Sequence, residues 1–191
     1  MRKLMLVLLG LAMPCARAED SDGRALLRRF NEALMASHSA TRTLEAWCRD
    51  RHLAPAPRIV ADRDLSVRID ADEAIRRRLA VSASEPVKYR RVALRCGQAV
   101  LSIADNWYVP ARLTAAMNTA LDTSDTPFGA AIAALSPVRV PLSVEEAWPA
   151  TEPEAPAVLL RHRTLLTLPN GQPISLVVEN YQKALLGPSA E

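Results

Sequence analysis

Apolar residues recur every three or four positions in parts of the chain, which is the spacing of one helix face. This spacing predicts a helix over residues 22–37 and a second helix over residues 41–52, with Ser39 as the N-cap of the second. The same spacing predicts a third helix over residues 113–121. The positions that carry the first pattern are Leu26, Leu27, Phe30, Leu34 and Met35.

Two short helices are predicted from their starting residues. Asp70 followed by Glu73 resembles a capping box and places a helix over residues 74–79. Thr126-Pro127 combines a capping residue with a proline suited to the first helical turn. This pair predicts a helix that runs through Leu135.

Alternation of apolar and polar residues predicts β-strands elsewhere. In the clearest strand, Val92, Leu94 and Cys96 share one face, whereas Arg91 lies on the other face. Asn170-Gly171 between two such runs is a strong hairpin signal. Because the strands are joined locally, the sequence predicts one α+β domain with a mainly antiparallel sheet flanked by helices. The predicted strands cover residues 58–64, 87–96, 99–109, 137–148, 158–168 and 174–186.

The first residues have the order of a secretory signal peptide. A positive segment, Met1–Lys3, precedes the uncharged apolar run Leu4–Met13, and Ala16–Ala18 has the small-x-small pattern of a cleavage site. The apolar run is shorter than the roughly 20 residues that span a bilayer. We therefore expect residues 1–18 to be removed and residues 19–191 to form one exported, periplasmic domain. An uncleaved N-terminal anchor is the alternative.

Removal of this segment changes the charge of the protein. The full chain has 24 lysines and arginines against 21 acidic residues, but Arg2, Lys3 and Arg17 lie in the signal. The predicted mature domain therefore has 21 residues of each sign and no net charge. This balance gives no support for nucleic acid or an anionic membrane surface as a partner. We also expect no integral membrane segment after cleavage.

The cysteines bear on the same prediction. Cys15 lies in the signal, and the residues before it fit a lipobox poorly, which leaves Cys48 and Cys96 in the mature domain. In an oxidising compartment such a pair often forms a disulfide. Two buried free thiols are the alternative, because the sequence does not show whether the Cα atoms come within bridging distance.

Common metal, cofactor and nucleophile motifs do not occur in the sequence. His38, His52 and His162 lack a metal-ligand spacing and there is no C-x-x-C, so we expect no metal. Without a P-loop, a G-x-G-x-x-G or a G-x-S-x-G, the sequence offers no support for a nucleotide cofactor or a serine-hydrolase elbow. A catalytic Ser/His/Asp triad whose members are far apart in the chain stays an open alternative. The few aromatic residues give no stacking platform for single-stranded nucleic acid.

Five blocks of sequence stand out when they are taken together: Tyr89–Cys96, Trp107–Pro110, Thr126–Gly129, Asn170–Pro173 and Glu179–Tyr181. In their order and approximate spacing these blocks resemble chorismate lyase. The resemblance extends from about His38 to Tyr181.

The resemblance implies a fold, an activity and a set of ligand contacts. Chorismate lyases remove pyruvate from chorismate to leave 4-hydroxybenzoate without a metal or cofactor, and their fold also serves as the effector-binding domain of some bacterial transcription regulators. The family's carboxylate-binding arginine falls on Arg91, and its acidic residue falls on Glu179. If burial raises its pKa, Glu179 could act as a general acid or form a hydrogen bond with a ligand hydroxyl. The family's backbone contacts fall on Phe128, next to Gly129, and near Ala40.

Three functional hypotheses follow for this chain. The first is a lyase acting on chorismate or a related cyclic carboxylate. The second is a non-catalytic binder of a small aromatic or carboxylic ligand, and the third is a structural protein that has kept the fold but lost the pocket. The lyase-like hypothesis is the best single description. The export signal keeps the binding hypothesis close behind it, because chorismate is made and consumed in the cytoplasm. We expect a monomer that binds neither nucleic acid nor a cofactor.

Overall fold

An antiparallel sheet of six strands forms the framework of the protein. The structure, a computed structural model, describes the backbone of residues 15–187 and the side chains of residues 23–187. The strands are β1 (Ile59–Arg63), β2 (Lys88–Cys96), β3 (Ala99–Tyr108), β4 (Val138–Glu146), β5 (Val158–Thr167) and β6 (Pro173–Gln182). They lie in the order β1-β2-β3-β6-β5-β4, so most neighbours in the sheet are also consecutive in the chain.

The helices of the described residues lie on both faces of this sheet. Short 3-10 helices cover residues 110–112, 133–135 and 183–186. The α-helices are α1 (Cys15–Ala36), α2 (Ala40–Asp50), α3 (Glu73–Leu79), α4 (Ala115–Thr123) and α5 (Phe128–Ala131). The predicted α+β fold with a mainly antiparallel sheet is therefore confirmed.

The helix caps agree with the sequence predictions in one case and differ in two. Ser39 is the N-cap of α2, and its hydroxyl accepts a hydrogen bond from the Arg42 amide at 3.3 Å. The prediction that Asp70 caps α3 is wrong, because Asp72 accepts from the Ile75 amide at 2.7 Å. Pro127 occupies the N-cap position of α5, one residue later than the predicted cap at Thr126.

The predicted hairpin at Asn170-Gly171 is confirmed. Gly171 has φ of 86°, a left-handed conformation that glycine adopts without a Cβ penalty. The Leu168 amide donates to the Gln172 carbonyl at 2.8 Å and closes the turn between β5 and β6. This turn fixes the pairing of the strand that carries Glu179.

Helices α1 and α2 cover one face of the sheet. Phe30 of α1 is fully buried and lies edge-to-face against Tyr181 of β6, with ring centroids 5.0 Å apart. Cys48, in the last part of α2, forms a disulfide with Cys96 at the end of β2, and their Cα atoms are 6.1 Å apart. Of the two alternatives, a disulfide or two free thiols, the disulfide is thus confirmed. This bond ties α2 to the sheet covalently.

Helix α3 covers part of the opposite face. Its buried residues Ile75 and Leu79 pack in one cluster with Trp107 of β3 and Leu176 of β6. Trp107 also donates a hydrogen bond from Nε1 to the Ile69 carbonyl at 2.9 Å. The polar tip of the indole is therefore satisfied while its ring is buried.

The predicted export signal lies largely outside the described residues. Residues 1–14 fall there entirely, and the predicted cleavage position at Ala18 lies near the start of α1, where only the backbone is described. Within the part of the chain that the structure describes, no helix combines the length and apolar character needed to cross a membrane.

Candidate functional site

A cavity of about 270 Å³ lies between the sheet and the N-terminal ends of α2 and α5. A cavity of about 150 Å³ is known to hold benzene, so this one has room for a ligand with one ring. Its apolar lining comes from four strands and from the segment around α5. These apolar residues include Val92, Leu94, Ala104, Phe128, Ile132, Leu166 and Val177.

The charged side chains around this cavity are mainly basic. Arg42, Arg90 and Arg139 line it together with His38, whereas Glu179 is the one acidic residue among its described lining residues. Positive charge concentrated in a small concave site raises the local concentration of anions. The combination of apolar walls and arginines therefore favours a small organic anion as the occupant.

Arg90 of β2 is a buried arginine of this cavity, and one of its N–H groups has no hydrogen-bond acceptor. Its side chain is buried, Nη2 donates to the Thr126 carbonyl at 3.0 Å, and Nε has no acceptor. Burial, and then the nearby charge of Arg63, lowers the pKa of Arg90 to about 10. Arg90 thus stays cationic at neutral pH, and a ligand carboxylate would supply the acceptor that its Nε lacks.

The start of α2 adds main-chain donors to the same cavity. Ser39, Ala40 and Thr41 line it, and the first amide groups of a helix have no acceptor within the helix. These groups carry the positive end of the helix dipole. Gly129 of α5 lies against this helix start, because a Cβ added there would be only 2.9 Å from Thr41 Oγ1.

Glu179 forms a buried ion pair at the side of the cavity. Arg139 Nη2 donates to Glu179 Oε2 at 2.9 Å, and the two side chains are 10% and 5% exposed. Burial is the largest single influence on Arg139 and lowers its pKa, but the charges and hydrogen bonds of Glu179 and Tyr181 together outweigh burial and raise the pKa of the arginine. Tyr181 is fully buried close to the pair, and burial raises the pKa of its hydroxyl. The acid of this cavity is therefore already partnered by a cation.

The structure brings four of the five predicted ligand-site residues together. Ala40, Phe128, Gly129 and Glu179 all line the cavity, although they are up to 139 positions apart in the chain. Their assignment as ligand contacts stays a prediction. Arg91, the fifth residue, does not line this cavity.

Arg91 points to the opposite face of the sheet. Its Nη1 donates to Asp105 Oδ1 at 2.9 Å, and Nε lies 3.9 Å from Asp64 Oδ2. The Tyr89 hydroxyl donates to the same Asp105 oxygen, and burial followed by this contact raises the pKa of Tyr89 to about 12. Arg91 is thus occupied by neighbouring acids, and the neighbouring Arg90 takes the place in the cavity that was expected for Arg91.

Two site arginines were not identified from the sequence. The signal for Arg90 was present, because the alternation that places Val92 and Leu94 on one face also places Arg90 there. No comparable signal existed for Arg139. It lies on edge strand β4, whose pairing with β5 shifts between Pro141 and Ser143, and such a shift changes which residues face inward.

The three histidines lie in different environments. His162 is buried, with Nε2 2.8 Å from Asn31 Oδ1, and burial lowers the pKa of its imidazole. His38 lies at the cavity and His52 follows α2. Among the described residues, no group of three or more His, Cys, Asp and Glu side chains is arranged to hold a metal ion.

One curated protein shows the family of this chain. The uncharacterized protein y4mC of Sinorhizobium fredii (strain NBRC 101917 / NGR234) is 39% identical over 191 aligned positions, which span 91% of this chain and 79% of y4mC. The chain belongs to the y4mC family. A comparison of this chain with models of known protein families found no match.

Solved structures show the fold of this y4mC family member. The effector domain of PhnF from Mycobacterium smegmatis superposes with a TM-score of 0.54 at 14% identity, covering 77% of this chain and 90% of that domain. A crystal structure of PhnF from the same organism gives a TM-score of 0.52 at 14% identity, covering 90% and 87% of the two chains. This likeness shows a shared effector-domain fold, and the resemblance to chorismate lyase itself stays a prediction.

Proposed function

We propose that this y4mC family member binds a small organic anion, most simply an aromatic carboxylate, without transforming it. The observation that carries this proposal is the cavity itself, in which Arg90 has an unfilled buried donor and the one acidic side chain is already paired with Arg139. The site thus holds an excess of positive charge next to apolar walls. Its fold is also that of an effector domain in PhnF.

A carboxylate on a single ring fits this arrangement in both chemistry and size. The guanidinium of Arg90 and the first amides of α2 are donors for the carboxylate oxygens. Val92, Leu94 and Leu166 offer apolar contacts to the ring. A cation would instead meet the three arginines at unfavourable cost.

Titration calorimetry with 4-hydroxybenzoate and related aromatic carboxylates tests the proposal. We expect saturable binding of at least one of them to the purified protein. Arg90→Met should weaken binding by about 10- to 100-fold, because it removes a charge-assisted hydrogen bond. Arg91→Met is the matched control, since Arg91 lies on the opposite face, and it should leave the affinity unchanged. Absence of saturable binding across the carboxylates would contradict the proposal.

A second candidate is the elimination of pyruvate from chorismate or a related cyclic carboxylate. The observation that favours it is the presence of Glu179 in the same cavity as Ala40 and Phe128, three positions at which the lyase resemblance expects ligand contacts. The arginine of this cavity is Arg90, whereas the resemblance expects Arg91. The ion pair with Arg139 weighs against it, because a general acid must have a proton to give. Incubation with chorismate distinguishes the candidates. Release of 4-hydroxybenzoate and pyruvate above the spontaneous rate, abolished by Glu179→Gln, would establish the lyase.

We also propose that the protein acts in the periplasm after removal of residues 1–18. The disulfide between Cys48 and Cys96 supports this location, because stable disulfides persist in oxidising compartments. N-terminal sequencing of protein recovered from the periplasmic fraction should begin at Glu19. Recovery of the intact N-terminus from the cytoplasm, with both thiols free, would contradict this proposal.

A further inference from the structure

Arg90 and Asn106 are direct partners across β2 and β3, and both line the cavity. They are 7% and 4% exposed, respectively. Each has one buried nitrogen without an acceptor, namely Nε of Arg90 and Nδ2 of Asn106. Two unpaired donors thus lie side by side at the same wall of the cavity.

The orientation of the Asn106 amide is fixed by a third strand. Ser175 of β6 is fully buried, and its hydroxyl donates to Asn106 Oδ1. With the oxygen occupied by this hydrogen bond, the amide presents its nitrogen as the remaining group. Asn106 therefore acts as a donor at this wall rather than as an acceptor.

We propose that Asn106 is a specificity-determining residue of the cavity, which selects a carboxylate by donating a second hydrogen bond beside Arg90. This inference rests on the proposed function, because it concerns the same anion. It adds a residue that neither the sequence motifs nor the lyase resemblance identified. Ser175 is a positioning residue that holds the amide in its donating orientation.

Unpaired buried donors explain how such selection works. A buried N–H group without an acceptor carries a desolvation cost, which an acceptor on the ligand removes. A carboxylate offers two acceptor oxygens, one for each of the adjacent donors, whereas a primary carboxamide replaces one oxygen with a further donor. The site should therefore discriminate between a carboxylate and its amide more strongly than charge alone requires.

The test compares 4-hydroxybenzoate with 4-hydroxybenzamide in the wild-type protein, Asn106→Ala and Asn106→Asp. The wild type should prefer the carboxylate. Asn106→Ala should reduce that preference by at least about tenfold, because it removes a donor that only the carboxylate satisfies fully. Asn106→Asp retains the shape of the side chain but places an acceptor beside Arg90, so carboxylate binding should weaken further. Thermal unfolding of each variant shows whether the fold is retained.

A third variant and a control keep the outcomes separate. Ser175→Ala leaves Asn106 in place but frees its amide to rotate, so it should reduce the preference less than Asn106→Ala does. If Arg90→Met loses carboxylate binding while both folded Asn106 variants keep the wild-type preference, this inference is wrong and the proposed function stands. If the wild type binds neither compound nor any other aromatic carboxylate, the proposed function itself is wrong.

Discussion

Arg139 of β4 and Glu179 of β6 form an ion pair across β5, the strand that lies between them in the sheet. The pair is almost completely buried, and Arg139 Nη2 also lies 3.4 Å from Thr164 Oγ1 on β5. Two ions removed from water are stable together only because each compensates the other. The pair therefore joins edge strand β4 to the wall of the cavity.

The first prediction concerns the stability of this pair. Glu179→Leu leaves the Arg139 cation buried without its partner, so the free energy of unfolding should fall by about 3–5 kcal/mol. Arg139→Met leaves the Glu179 carboxylate buried without its partner and should lower the free energy of unfolding by a similar amount. The double variant removes both charges, so its free energy of unfolding should fall by considerably less than the sum of the two single decreases. Urea unfolding of the four proteins measures this coupling.

Surface ion pairs provide the matched control. The exposed pair of Arg77 and Glu73 in α3 has its charged atoms 2.8 Å apart, close to the distance in the buried pair. Its removal should change the free energy of unfolding by less than about 1 kcal/mol, because both partners stay hydrated. Equal effects from the buried and exposed pairs would contradict the interpretation that burial sets the cost.

The sequence predicted the fold and most of the cavity because those features depend on local patterns. Alternation in β2, the Ser39 cap and the Asn170-Gly171 turn involve residues close together in the chain. The role of Arg139 depends instead on long-range register. The pairing of β4 with β5 and of β5 with β6 contains irregularities, and each can reverse the face on which a side chain lies.

The cap of α3 shows the same limit on a smaller scale. Asp70 and Asp72 both precede Glu73, and both are good capping residues. The distance from Asp72 Oδ1 to the Ile75 amide, 2.7 Å, distinguishes them in the structure. The sequence around the helix start does not distinguish Asp70 from Asp72, because the choice between them depends on the path of the preceding loop.

The second prediction concerns stability at acid pH. Burial lowers the pKa of His162 from its usual 6.5, the charge of Glu179 partly opposes this change, and Arg139 adds to it. The unfolded chain therefore binds a proton at His162 more readily than the folded protein does. As pH falls below 6.5, this difference should reduce the free energy of unfolding until the folded imidazole is also protonated.

Urea unfolding as a function of pH measures this contribution. His162→Gln keeps a polar group near Asn31 but cannot titrate, so the fall in stability below pH 6.5 should be shallower than in the wild type. His38→Gln changes an exposed histidine and is the control, which should keep the wild-type slope. The same slope in His162→Gln and the wild type would show that other groups cause the acid sensitivity.

The third prediction concerns the disulfide between Cys48 and Cys96. The cross-link joins residues 48 positions apart, and by chain entropy such a loop contributes about 4 kcal/mol to the free energy of unfolding. Reduction of the wild type should lower its stability toward that of the Cys48→Ala, Cys96→Ala double variant. Ligand affinity should fall as well, because the disulfide holds α2, whose first residues line the cavity. A reductant should have no effect on the double variant, and an effect there would reveal a different target.

The last prediction concerns the contact between α2 and α5. A methyl group at position 129 would lie 2.9 Å from Thr41 Oγ1 and 3.6 Å from Ser39 Oγ, so Gly129→Ala should push α5 away from the start of α2. Because both helix starts line the cavity, we expect weaker carboxylate binding with a smaller effect on thermal stability. Adding Thr41→Ala removes the clashing oxygen and should restore part of the lost affinity. Calorimetric titration of both proteins decides the matter, and a Gly129→Ala protein that binds as tightly as the wild type would show that this close approach does not shape the site.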